Sequence, residues 1–122
     1  MQRQPEIEVY LCDCTEERLV AWLESVVGPL GEPEDAGASI VYSSTIGPVV
    51  VTPGIEGGPF VGVWFNTSHT PWTTDVDCAR QAARELACTV RCCPGQYFPE
   101  VPRLSDIFLE ISGDAEELIE WG

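Results

Sequence analysis

Polar and apolar residues alternate in Ile7-Glu8-Val9-Tyr10-Leu11-Cys12, and most of them favour extended backbone, so this stretch predicts a strand. From Asp13 the period changes. Leu19, Trp22, Leu23, Val26 and Val27 recur at helical spacing and form one apolar stripe. Thr15 is the expected N-cap, with Glu16 and Glu17 in the acid-favouring first turn, and Gly28-Pro29 ends the helix. The run from Gly31 to Gly37 reads as an exposed loop with three acids. Short strands follow at Ser39 to Ser43, at Ile46 with Val49 to Val51, and at Phe60 to Phe65, separated by a turn and by the glycine/proline loop Pro53 to Pro59.

A second helix is predicted from about Thr74 to Ala87. Thr74 is its N-cap with Asp77 three residues on, and Val76, Ala79, Ala83, Leu86 and Ala87 form its buried stripe. Thr89 to Cys92 reads as a short strand. Pro94, Pro99 and Pro102 keep the following stretch irregular. Asp106 to Ile111 and Glu116 to Trp121 form a closing hairpin about Ser112-Gly113-Asp114. The short spacings favour an antiparallel meander. The fold expected is therefore a single α+β domain over 1–122, with a mainly antiparallel sheet of about six strands and two helices packed on one face. The other face is expected to be open to solvent or to a partner. Trp121 is either pinned into the sheet or presented to a partner, and pinning is the favoured reading.

Composition narrows the function classes. Twenty acids face six basic residues, all arginine, for a formal net charge of −14. Such a surface repels nucleic acid and anionic lipid and suits a basic partner, or serves only solubility. Hydrophobic content of 44 % is that of a folded chain, so the charge does not imply disorder. The first residues lack the apolar core of a signal peptide and no run is long enough to span a membrane. The expectation is a cytoplasmic protein with reduced cysteines.

Candidate chemistry is sparse. Cys12-x-Cys14, Cys92-Cys93 and His69 invite a metal reading, but neither pair has the two-to-four-residue spacing of a zinc knuckle. Cys78 and Cys88 read as small core hydrophobes. Ser68-His69 with Asp75 and Asp77 lacks a strained nucleophile turn and reads as loop hydrogen bonding. The glycines at 54, 57 and 58 lack the lysine of a phosphate cradle, and no acid cluster matches a calcium loop. No catalytic, cofactor or metal residue is assigned. The partner-binding candidates are the densest acidic patches, Glu32, Glu34 and Asp35, and Asp114, Glu116, Glu117 and Glu120, joined by Trp72. Trp64 and Trp121 are further amphipathic aromatics of the kind that anchor interfaces.

In size, acidity, α+β pattern and tryptophan content the chain resembles the immunity proteins of bacterial polymorphic toxin systems. The lack of lysine beside high alanine, glycine and arginine use suits a GC-rich bacterial genome. The resemblance covers the whole chain and rests on no motif, so no residue role is carried over. It implies a non-enzymatic cytosolic inhibitor that binds a basic toxin domain and blocks its active site. Other readings remain open from the residues: a phage-type nucleic-acid mimic, a small enzyme or metal protein using Cys12, Cys14, Cys92 and His69, and an adaptor that pairs with itself through the open sheet face. Whether the chain is a monomer or a homodimer is undecided at this level.

Overall fold

The computed structural model describes residues 6–102 and 105–121. Eight strands, β1 (Ile7–Cys12), β2 (Glu34–Ala36), β3 (Ser39–Tyr42), β4 (Val49–Ile55), β5 (Phe60–Phe65), β6 (Val90–Cys92), β7 (Ile107–Ser112) and β8 (Ala115–Glu120), form one sheet in the order β2-β3-β4-β5-β1-β6-β7-β8. Every neighbouring pair is antiparallel. Helix α1 (Glu16–Val27) follows β1, and α2 (Asp75–Leu86) carries the chain from β5 across β1 to β6.

Both helices begin as their sequences dictate. The Thr15 hydroxyl accepts from the Arg18 amide and the Thr74 hydroxyl from the Asp77 amide, each satisfying an orphan donor of the first turn. Leu19, Trp22, Leu23 and Val27 of α1 and Val76, Ala79, Ala82, Ala83 and Leu86 of α2 enter one core. They meet Ile7, Val9 and Leu11 of β1, Val63 and Phe65 of β5, Cys92 of β6, and Leu109 and Ile111 of β7. Alternation thus puts the odd-numbered positions of β1 under the helices and its even-numbered positions on the far side.

The sheet has eight strands where about six were expected. Glu34–Ala36, expected as loop, pairs with β3 through the turn at Gly37 (φ +78°) and becomes an edge strand. Pro53 to Ile55, also expected as loop, prolongs β4. The β4–β5 register shifts between Thr52 and Ile55, a bulge that accommodates proline and glycine inside a strand. Ala87, expected on the buried stripe of α2, is exposed. It caps the helix in the left-handed conformation (φ +52°), which turns its side chain away from the core.

Candidate functional site

Among the described residues, no helix covers the second face of the sheet. The register assigns its occupants. Glu34, Val41, Val50, Trp64 and Glu8 follow one another across β2, β3, β4, β5 and β1. One row along, Gly62, Tyr10, Arg91, Glu110 and Glu117 do the same across β5, β1, β6, β7 and β8. Phe108 opposes Ile119 on the same side. A polar outer face would carry charged residues at these alternate positions. Here its centre is aromatic.

Those aromatics pack on one another. The Trp121 ring lies 5.1 Å from Tyr10, 5.0 Å from Phe60 and 5.2 Å from Phe108, centroid to centroid. Edge-on geometry at the Tyr10 and Phe108 contacts matches the quadrupole preference of aromatic pairs. The Trp121 amide donates to the Asp106 carbonyl at 2.8 Å, so the last tryptophan is pinned, the favoured of the two readings. Gly62 makes room for this cluster. A Cβ there would come within 3.4 Å of the Tyr10 ring and 3.3 Å of Ile55.

Arg91 sits among them. Its guanidinium lies 4.4 Å from the Phe60 ring centre and 4.8 Å from that of Trp121, and it pairs with Glu110 at 2.8 Å. It is the one cation on this face among the described residues. Glu6, Glu8, Glu34, Glu110 and Glu117 supply the carboxylates, with Glu6 accepting from Trp64 Nε1 at 3.2 Å. The face is therefore an apolar and aromatic platform with a negative rim.

The sequence-predicted acids fall at the two opposite edges of the sheet. Glu34 and Asp35 lie on β2, with Glu32 just before it. Glu116, Glu117 and Glu120 lie on β8, with Asp114 in its turn. Seven inter-strand steps separate the edges by about 34 Å, so they do not form one patch. Charged edges also discourage pairing with other strands. Glu34 and Glu117 face the aromatic platform. Asp35, Glu116 and Glu120 alternate to the helix side, where Glu116 is held by Arg80 at 2.8 Å.

Trp72 is displaced from the candidate set. It is 6 % exposed, stacked on Trp22 at 5.9 Å and against Phe65 at 5.2 Å, with its Nε1 donating to Gln81. A loop tryptophan with its one polar atom satisfied inside the core presents no contact surface. Trp64 and Trp121 lie on the open face instead. That face had a signal in the sequence: Tyr10 and Phe108 occupy slots of alternating strands that would otherwise be polar.

The residues weighed for catalysis or metal are dispersed. Cys12 belongs to the open face and Cys92 to the core side, so they look in opposite directions. His69 is exposed in its loop, its amide donating to Thr67. Asp77 accepts from the Tyr97 hydroxyl. Among the described residues, no three histidine, cysteine or acidic side chains converge as a metal site. Two concavities among the described residues are open grooves, one of them along α1 and lined by Glu16, Glu17, Glu24 and Tyr42. Neither this groove nor its counterpart beside Arg80 and Arg84 encloses a small ligand.

Asp75 opens α2 and accepts from the Glu8 amide at 3.2 Å. Burial, reinforced by the Glu8 carboxylate, pushes its carboxyl from 3.8 to about 6, and burial pushes Glu8 upward as well. Folded Asp75 thus holds its proton more tightly than the unfolded chain does. Its stabilising effect is fully present below the usual carboxylate range and is lost as pH rises through about 6. Asp75→Asn keeps an acceptor for the Glu8 amide and removes the desolvated charge. It is expected to raise stability at pH 7 by on the order of 1 kcal/mol, after discounting for partial exposure and for the lost helix-dipole contact. It should also flatten the slope between pH 4 and 7. Urea unfolding of both proteins at pH 4.5 and pH 7 checks this, and a variant weaker at pH 7 would contradict it.

No helix among the described residues is long and apolar enough to cross a membrane. No family model matches the chain, and neither a curated protein nor a solved structure matches it.

Proposed function

We propose that this chain is an acidic, cytosolic inhibitor of the immunity-protein kind, which binds a basic toxin or enzyme domain through the open face of its sheet and occludes that domain's active site. The single observation that carries the proposal is the aromatic platform with five carboxylates and one neutralised cation about it. Aromatics supply desolvated contact area, and the rim selects and steers a cationic partner.

The dimensions are adequate. Eight strands of mostly six residues or fewer span about 34 Å by 20 Å, close to the roughly 800 Å² that each side of a standard interface buries. A second copy of the same chain is a poor occupant. Two faces with the same negative rim, on chains of charge −14, repel. The mixture of aromatic and acidic side chains also favours shape-specific docking over imitation of a phosphate row.

The test is capture of the tagged chain's partner from its native host at low and high salt, beside the Trp64→Ala and Val50→Glu variants. The expected result is one stoichiometric basic protein, retained better at low salt and lost with both variants. Equal capture by the variants, or a self-associated chain as the main species, would overturn the reading.

A further inference from the structure

The proposed interface leaves one cluster unused, at the junction of α1 and α2. The Cys12 amide donates to the Thr89 carbonyl at 2.9 Å, and the Arg18 guanidinium bonds the Leu86 carbonyl. Cys14 lies between Cys12 and Arg18 on one segment, and Cys88 lies between Leu86 and Thr89 on the other. These two bonds clamp the segments together on either side of the cysteines. Both side chains pack on the core side, Cys14 with 8 % of its surface exposed and Cys88 at the rim. The two sulfurs are near enough to perturb each other's titration, and the Cys14 thiol donates to the Thr15 carbonyl at 3.7 Å.

We infer that Cys14 and Cys88 form an oxidisable pair, a site at which a peroxide converts two thiols into a disulfide tying the start of α1 to the end of α2. The chemistry assigns the roles. The Cys88 thiol and, more weakly, Arg18 act against burial to draw the Cys14 thiol below the usual thiol range, which favours its thiolate. Burial pushes Cys12, Cys78 and Cys92 upward, and the Cys14 contact pushes Cys88 upward. Cys14 is therefore the nucleophile and Cys88 the resolving thiol.

In the first step the Cys14 sulfur attacks one peroxide oxygen and the O–O bond breaks. The departing hydroxide takes a proton to become water, leaving a sulfenic acid on Cys14. In the second step the Cys88 sulfur, losing its proton, attacks the Cys14 sulfur. The S–O bond breaks and the oxygen leaves as water. Two thiols are oxidised by two electrons in all, and one hydrogen peroxide is reduced to two waters. A small oxidant is required because Cys14 is nearly enclosed.

The test treats the reduced full chain with hydrogen peroxide at pH 7, blocks remaining thiols, and maps a non-reduced tryptic digest by mass spectrometry. Arg84 and Arg91 bracket Cys88, so it falls in a peptide with no other cysteine. The expected product links that peptide to the one carrying Cys14, persists in Cys12→Ser and Cys93→Ser, and disappears in Cys14→Ser. Closing roughly 75 residues of chain should raise Tm by about 10 °C, reversibly on reduction. Cys88→Ser, which keeps a hydroxyl donor beside Cys14, should leave a sulfenic acid at Cys14 that dimedone traps when the oxidised chain is unfolded in its presence. A digest in which Cys14 and Cys88 are both still blocked as free thiols, or in which Cys14 is joined chiefly to Cys12 or Cys93, would overturn the assignment.

Discussion

Trp72→Ala is expected to lower the unfolding free energy by about 3–5 kcal/mol, whereas Trp64→Ala costs about 1 kcal/mol or less. The two tryptophans differ in surroundings, not in chemistry. Trp72 is closed in by Trp22 and Phe65, and its indole nitrogen is bonded to Gln81, so truncation leaves a cavity and an unpaired amide. Trp64 is half-buried on the open face, and its indole reaches the exposed Glu6. Partner binding should reverse the ranking. Loss of a central aromatic anchor costs about 2 kcal/mol or more, near a thirtyfold loss of affinity, while the folded fraction of Trp72→Ala binds normally. Urea midpoints measured beside titrations with the captured partner separate the two effects. Comparable affinity losses per folded molecule would contradict the assignment of faces.

The second large effect is expected at Arg91. Arg91 and Glu110 are each only about a fifth exposed, at 20 % and 22 %, and Glu117 stands directly opposite Glu110. Arg91→Ala removes the cation that neutralises Glu110 beside Glu117 and strips the cover from Phe60 and Trp121. The expected loss is about 2–3 kcal/mol, larger at low salt. Arg80→Ala is the control. Its pair with Glu116 is 40 % and 29 % exposed on the helix side, and such pairs contribute under about 1 kcal/mol. Adding Glu110→Gln to Arg91→Ala should restore part of the loss, because it removes the unpaired charge. If the double variant were no more stable than Arg91→Ala alone, the ion pair would not be the source of the effect.

What could be read from the chain depended on how far apart the determining residues lie. Thr15 and Thr74 cap helices with donors three residues away, so both helices followed from local sequence. The alternation in Ile7–Cys12 and Ile107–Ser112 likewise fixed which residues enter the core. Glu34–Ala36 was illegible because three residues, two of them acids, have no extended preference of their own. Pairing with Ser39–Tyr42 makes them a strand. Pro53 and Gly54 read as strand breakers because the bulge that admits them is set by the partner strand. Trp72 illustrates a different limit: in a loop, a tryptophan bound for the core and one bound for a partner look alike.

The candidate face was only partly legible for the same reason. Tyr10, Phe60, Arg91, Phe108 and Trp121 come from five separate segments, and a strand order in which β1 lies between β5 and β6 brings them together. The two acidic clusters were visible, but their arrival at opposite edges of the sheet was not. Acidity then becomes a rim around an aromatic centre, with Glu34 and Glu117 as the members of those clusters that face it.

The most direct measurement is hydroxyl-radical footprinting of the chain alone and in complex with its captured basic partner. Side-chain oxidation reports contacts on a sheet whose amides are already protected by pairing. The account predicts loss of labelling at Tyr10, Trp64, Phe108 and Ile119, with Val20 on α1 and Leu118 on the helix side of β8 labelled as before. Protection of Val20 and Leu118, with the open-face aromatics still reactive, would contradict it.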